Sequence, residues 1–457
     1  MSLSAEPHDV VIAGGGIAGL VAAWELRDLD VVVLEEDARV GGRIKSEPRG
    51  DYWVSLGAHM FPPPGSVIGG LVQRLGLEVL PITGSLLNMS YRGRLVRDTR
   101  PELFPFKLPM SASGRVSFAR AGLKVRRMVG AYTRASVMQP GETPADVRRR
   151  LLQFGGDRSF AEFLGPLHPE AEEIFRATCN RSVAEPDELS VAAMGSLFSH
   201  VWEGGDLGLN MRGGSGELPA ALADALGERV RLSAPVVGVQ RPGADGRVTV
   251  RFSQDGQERS ASAAAAILAL PAPRIPALIA DIPGEARRAL EAVRLGPFLV
   301  ASILTREQGP MPYDDMYSVL TVGRSFNMLF NHANCLRTPG SPRRPGGVLM
   351  VYAGGDRARA LMDSSDEEVR NRYLDDVYGL FPEVRGQVEE VVIQRWPQAA
   401  AVSYPGRYRV QDALERGIDE RILFAGDWMG EFPHMEAAAQ TAVEAAARVR
   451  GLLRAGR

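Results

Sequence analysis

The chain is poor in lysine, cysteine and histidine, and it has no long apolar run. Its two cysteines, Cys179 and Cys335, cannot build a disulfide framework, and neither belongs to a CxxC pair. The six histidines are scattered without metal-ligand spacing, so no metal site is expected. No stretch reaches the roughly 18 apolar residues a membrane span needs. The longest, Ala263 to Leu270, stops at Pro271 and reads as a buried strand. No signal peptide precedes the first strand, which makes the cytoplasm the expected compartment. Lysine is confined to Lys45, Lys107 and Lys124 among 53 basic residues, a bias ascribed to genome composition. The formal net charge of −2 gives no general attraction to nucleic acid or anionic lipid. At 457 residues the chain is long enough for two or three lobes with ample core.

What the sequence does hold is concentrated at 9–43. An apolar strand from Asp9 to Ala13 runs into Gly14-x-Gly16-x-x-Gly19, and a helix is predicted from Ile17 to Arg27. A second strand, Val31 to Leu34, ends at Glu35, 21 residues after Gly14. Gly14 permits a tight turn, Gly16 lets backbone approach a pyrophosphate, and Gly19 lets helix and strand pack closely. The helix start at Ile17 and Ala18 offers free N–H groups and partial positive charge to phosphates. Glu35 can accept hydrogen bonds from both ribose hydroxyls and would repel a 2′-phosphate. Strand, helix, strand and acid at this spacing predict dinucleotide binding rather than a structural turn.

The continuation, Glu35-Glu36-Asp37-Ala38-Arg39-Val40-Gly41-Gly42-Arg43, resembles the signature of the flavin amine oxidase superfamily. That group includes monoamine and polyamine oxidases, L-amino-acid oxidases, protoporphyrinogen oxidases and carotenoid desaturases. The resemblance implies FAD, with Glu36 beside the ribose-binding acid, Gly42 passing close to the phosphates and Arg43 near the pyrophosphate. It recurs at WVSLGAH, where Gly57, Ala58 and His59 would pass near the flavin ring, and near Val236, whose backbone would contact the adenine. It closes on Gly426-Asp427 and Met435-Glu436-Ala437-Ala438, a helix opening whose N–H groups would stabilise charge on reduced flavin.

These blocks imply two interleaved domains in an α/β chain. A Rossmann-like, dinucleotide-binding FAD domain is expected from 1–75, 213–275 and 395–457. A mixed α+β substrate-binding domain is expected from 76–212, largely helical, and 276–394. Turns at Asp245-Gly246 and Asp255-Gly256 predict a three-stranded meander, strands are expected near 297–304 and 347–353, and Ser365-x-x-Glu368 predicts a capping box opening a helix to Leu380.

Departures from the amine-oxidising branch bear on substrate. Many amine oxidases place a lysine before the strand that here reads Gly296 to Val300, and no lysine follows residue 124. The two aromatics that sandwich a small amine map to His434 and to Ala399 or Ala400, and the segment has no cysteine for a thioether, so the FAD is expected to be non-covalent. Ser55 stands where the family often has aspartate. The Gly-Asp-Trp closing block looks more like the desaturase and porphyrinogen oxidase branches. Oxidation of a C–H or C–N bond in a bulky apolar molecule is therefore expected, with an amine or amino-acid oxidase as the alternative. A non-redox flavin-dependent isomerase or mutase and a silent FAD-binding partner are rivals from other classes.

His59 and His434 are the histidines expected near the flavin, either as proton acceptors during hydride loss or as pocket walls. Trp396, Ala399, Ala400 and Tyr404 are expected to line the pocket. The expected partners are a small-molecule substrate and O2 or another electron acceptor. Residues 103–141 carry seven basic residues and no acid. The part 103–134 reads either as a membrane-surface or substrate-access element or as a solvated helical face.

Overall fold

The computed structural model describes residues 6–98, 100–202, 208–337 and 342–455. The residues outside these ranges include both ends of the segments expected to bind FAD. Two seven-stranded sheets organise the molecule. The first runs in the order Val236–Gln240, Val248–Gln254, Gln257–Leu268, Glu6–Ala13, Val31–Leu34, Val230–Arg231, with Ile422–Phe424 pairing to Gln257–Leu268. Its central pairings are parallel and join residues remote in sequence, such as Val11 with Ala266 and Leu268 with Phe424. The meander is present: Val248–Gln254 pairs antiparallel with both neighbours.

Alternation in these strands serves two cores, because successive side chains point to opposite faces. Val10, Ile12, Val31, Val33, Ala265 and Ile267 pack under the helices Ile17–Glu25, Glu217–Leu226 and Met435–Ala455. Val11, Ala13, Val32, Leu34, Ala266 and Leu268 face the meander and the helix Gly284–Glu291.

The second sheet is ordered Val388–Ala401, Leu295–Thr305, Gly347–Gly354, Met328–Asn331, Ser318–Thr321, Asn88–Tyr91, Arg94–Arg97. One face packs Leu299, Ala301, Leu349 and Val351 against the helix Asp366–Leu380. The other carries Val300, Phe330, Met350, Phe298, Tyr352 and Trp396.

Several sequence expectations need correction. The helix after the glycine loop stops at Glu25, short of Arg27. The stretch 76–212 is not only helical, since Asn88–Tyr91 and Arg94–Arg97 complete the second sheet. The expected boundary between 394 and 395 falls inside Val388–Ala401, which pairs with Leu295–Thr305 as far as Ala401. Ser365 does cap the Glu368 N–H, but the Glu368 carboxylate takes Arg372 rather than closing the capping box. Among the described residues no helix is long and apolar enough to cross a membrane.

Candidate functional site

The parallel strands Glu6–Ala13 and Val31–Leu34 deliver the glycine loop and Glu35 to one end of the first sheet. Gly14 has φ +103°, a conformation that L side chains rarely adopt. A Cβ on Gly19 would stand 1.8 Å from the Gly14 carbonyl oxygen, so helix and loop meet there without a side chain between them. A Cβ on Gly16 would meet nothing within 4 Å, which leaves that face of the loop open. Gly16 is also the N-cap and supplies no side-chain acceptor, so the N–H groups opening the helix at Ile17 and Ala18 have no cap from it. Open space against exposed N–H groups suits a pyrophosphate.

Glu35 is buried and accepts the N–H of Gly15 at 2.5 Å and of Asp37 at 2.8 Å. Burial raises its carboxyl above the ordinary range, and these two N–H groups pull it back. The carboxylate is therefore held at the loop, where a ribose beside the pyrophosphate would lie. Glu36 turns away, and its carboxylate forms an exposed pair with Arg274. The turn at Gly41 and Gly42 is tied to the loop by Gly41 N–H to Gly15 O at 2.9 Å. Ser233 and Ala234, just before Val236, donate to the carbonyls of Asp37 and Glu35.

Three distant segments meet at Arg43. Its guanidinium donates to both carboxylate oxygens of Asp427, at 2.6 and 3.0 Å, and to Ala399 O at 2.7 Å. Arg43 thus makes a forked ion pair with the closing motif, a geometry suited to arginine and carboxylate. Ala58 N–H donates to Arg43 O, and a Cβ on Gly57 would lie 2.0 Å from that oxygen, so loop 56–59 lies directly on Arg43. Gly426 is fixed by its N–H to Thr441 Oγ1 at 3.0 Å.

The start of Met435–Ala455 differs from expectation. The Glu436 carboxylate reaches Val67 and Ile68, accepting both N–H groups that open the helix Val67–Arg74. The Ala437 N–H is taken by His434 Nδ1 at 2.9 Å. That leaves the N–H groups of Met435 and Glu436, not Ala437, for a ligand. Nδ1 of exposed His434 acts as a cap acceptor, which places the proton of its neutral ring on Nε2.

His59 has the opposite arrangement. Its Nδ1 lies 3.2 Å from Gly57 O, which assigns the proton there and leaves Nε2 a buried acceptor without a partner. Burial lowers its pKa to about 4, so the ring stays neutral and is a weak base. Of the two expectations for His59, this burial suits the pocket wall with a hydrogen-bond acceptor better than the proton acceptor. His332, which sequence reading missed, stands 4.6 Å from His59 between ring centroids. It is 2% exposed, neither ring nitrogen has a partner, and burial together with His59 drives its pKa well below the ordinary value. Nothing in the local sequence marks His332; the second sheet alone brings it to the loop.

The aromatic face of the second sheet closes the site. Trp396 donates Nε1–H to Leu56 O at 2.6 Å and so holds loop 56–59 against this face. Phe298 meets Tyr352 edge-on at 4.9 Å, and Phe330 meets His59 at 4.8 Å. Ala399, Ala400 and Tyr404 pack instead with the helical layer around Phe160 and Phe175, and Phe298 touches both groups. Tyr404 lies under Arg294 at 4.6 Å, so it is a wall of that layer rather than a neighbour of Trp396. Arg181, also missed, lies near Tyr352, whose hydroxyl burial pushes up and the guanidinium pulls back, and its buried Nε has no partner. Lys45 reaches Gln394 at 2.9 Å, two residues before Trp396 on the same strand face. Among the described residues no group of His, Cys, Asp or Glu could hold a metal.

Comparison with known proteins places these features in context. A family model described as flavin containing amine oxidoreductase matches residues 17–450. The chain is 26% identical to an L-amino-acid oxidase of Siganus canaliculatus, over 97% of this chain and 85% of that one. It is 26% identical to a coproporphyrinogen III oxidase of Mycobacterium leprae, over 95% of this chain and 97% of the relative. Among solved structures, cyclohexylamine oxidase from Brevibacterium oxydans superposes with a TM-score of 0.77 at 20% identity, covering 98% of this chain and 100% of that one. Putrescine oxidase bound to putrescine superposes with a TM-score of 0.76 at 20% identity, covering 97% and 99%.

Proposed function

The chain belongs to the flavin containing amine oxidoreductase family, and from that premise we propose that this FAD-dependent oxidoreductase oxidises a bulky, largely apolar molecule. Bound FAD supplies the two-electron acceptor, with O2 or another acceptor completing the cycle. In this reading Gly14, Gly16 and the N–H groups at Ile17 and Ala18 hold the pyrophosphate, and Glu35 holds the ribose. The Arg43–Asp427 pair ties loop 56–59 to the closing motif, and the N–H groups of Met435 and Glu436 would stabilise negative charge on a bound flavin. The segments 1–75, 213–275 and the chain beyond Ala401 form the cofactor half, and the second sheet forms the substrate half.

The observation that carries the substrate reading is the face of Phe298, Phe330, Tyr352 and Trp396 with neutral His59 and His332 beside it. It offers apolar area and hydrogen-bond acceptors, and no carboxylate of the described residues is bonded to it for an ammonium. His59 Nε2 would orient a donor on the substrate while water is kept out. A second reading, oxidation of an amino acid, is favoured by Arg181, whose unpaired Nε beside Tyr352 suits a carboxylate.

Anaerobic stopped-flow bleaching of the flavin separates the two. Polyenes and other bulky apolar compounds are expected to reduce it faster than benzylamine or amino acids. If amino acids bleach it fastest and Arg181→Gln slows them, the second reading takes first place. Rapid bleaching by small amines with none by bulky compounds would sink the apolar proposal.

A further inference from the structure

Five of the eight large apolar side chains that stand exposed among the described residues fall within 33 residues of one another: Phe106, Val116, Leu123, Val137 and Met138. They belong to the helix Ala112–Ser136, the short helix Phe104–Lys107 before it and the segment just after it. The inner face of this helix is accounted for, since Ala121, Val125, Met128, Val129 and Tyr132 are buried at helical spacing against the layer of Phe160 and Phe175. The outer face is a separate surface. Val116 and Leu123 are seven residues apart and therefore share a stripe two turns in length. Arg120, Arg127 and Arg134 repeat at the same interval, four residues on, and form the stripe beside it. All five side chains are exposed.

The three arginines make no ion pair or hydrogen bond with any described residue. Their neighbours behave differently: Arg126 pairs with Glu102 at 3.3 Å, and Lys124 bonds to Leu164 O and lies over Phe163. Arg115 donates to Phe106 O at 3.2 Å and to Met110 O at 3.3 Å, which ties the turn bearing Phe106, 65% exposed, to the helix. Between residues 103 and 141 there is no acidic side chain, although the whole chain carries −2. The surface is thus a cationic strip about 27 Å long from Val116 to Arg134 in which apolar and guanidinium stripes lie side by side.

We propose that this strip docks the protein on an anionic lipid surface. The arrangement matches a helix lying in a bilayer interface, with apolar side chains entering the headgroup boundary and arginines meeting lipid phosphates. Long guanidinium side chains next to Val116 and Leu123 can extend to phosphate while their stems cover apolar surface. The charge fits this occupant better than a second copy of the chain, because two-fold pairing would set Arg120, Arg127 and Arg134 against their own copies. The proposal is independent of which substrate the flavin site takes.

The test is cosedimentation of the purified holoenzyme with vesicles of phosphatidylcholine alone and of phosphatidylcholine mixed with phosphatidylglycerol. Binding is expected to the anionic vesicles only and to weaken as salt is raised. Arg120→Gln/Arg127→Gln/Arg134→Gln should lower the partition coefficient on the order of 100-fold, at about fivefold per arginine. Phe106→Ser/Leu123→Ser should lower it by about tenfold through lost apolar burial. All five positions are exposed, so an unchanged flavin spectrum and melting temperature confirm that each variant folds. Failure of the wild type to bind anionic vesicles would overturn the proposal, as would equal binding by the triple arginine variant. Binding to soluble polyglutamate but not to vesicles would assign the strip to an acidic protein instead. Self-association without vesicles that the triple variant abolishes would assign it to a second copy.

Discussion

Glu431 offers a sharp test of the electrostatics at the junction of the two halves. Its Oε1 accepts the Tyr132 hydroxyl at 2.7 Å, while Oε2 is buried with no partner. Burial pushes the carboxyl up to about 7 from an ordinary 4.5, against the lowering effects of the Tyr132 hydrogen bond and Arg148. Below pH 4.5 folded and unfolded chains both hold the proton, and the stabilisation is fully present. Between 4.5 and about 7 the unfolded chain has released a proton that the folded chain retains, so stability falls as pH rises. Above about 7 the folded chain must keep a buried carboxylate, and the contribution is gone. At 1.36 kcal/mol per pH unit, this interval corresponds to a loss of about 3 kcal/mol. Glu431→Gln keeps an acceptor for Tyr132 and cannot ionise. Urea midpoints of the holoenzyme should therefore coincide for wild type and variant below pH 4.5, diverge progressively between 4.5 and about 7, and stay separated above that, the variant being more stable by up to about 3 kcal/mol. Tyr132→Phe should move the wild-type transition to higher pH, because it removes the bond that lowers the pKa. Parallel curves for wild type and Glu431→Gln across the interval would refute the buried-carboxylate reasoning.

Two predictions concern the cofactor. Glu35→Ala should weaken FAD binding by about 1.5–3 kcal/mol, the range for a charge-assisted hydrogen-bond partner, measured by fluorescence titration of the apoprotein; unchanged affinity would remove Glu35 from the ribose. Acid precipitation should leave free FAD in the supernatant, because Cys179 and Cys335 are both buried in apolar clusters. Flavin retained in the pellet would contradict the non-covalent attachment.

Local spacing was sufficient for the dinucleotide unit. A Rossmann-like turn is made by residues close in the chain, so Gly14, Gly16, Gly19 and Glu35 declared the strand, turn and helix unit that the structure shows. The meander was equally legible, because Asp245-Gly246 and Asp255-Gly256 are short-range turn signals. The resemblance at 35–43, 55–59 and 426–438 added the flavin family, which the family match bears out.

Long-range geometry decided the rest. Arg43 and Asp427 are 384 residues apart, and only the folded chain shows their forked ion pair. The sequence leaves His59 either a proton acceptor or a pocket wall; burial against Phe330 and His332 lowers its pKa to about 4 and makes it a weak base, because desolvation depends on what the second sheet stacks over it. His434 was grouped with it, but the helix start behind it uses its Nδ1 as a cap. The basic run at 103–141 left two readings open in one dimension. Which of its side chains face outward, and that Val116 and Leu123 stand exposed beside three unpaired arginines, became visible only once the opposite face was buried. Sequence specified the residues of the strip and the loop; the packing of the second sheet and of the helices around it specified their protonation, their partners and their exposure.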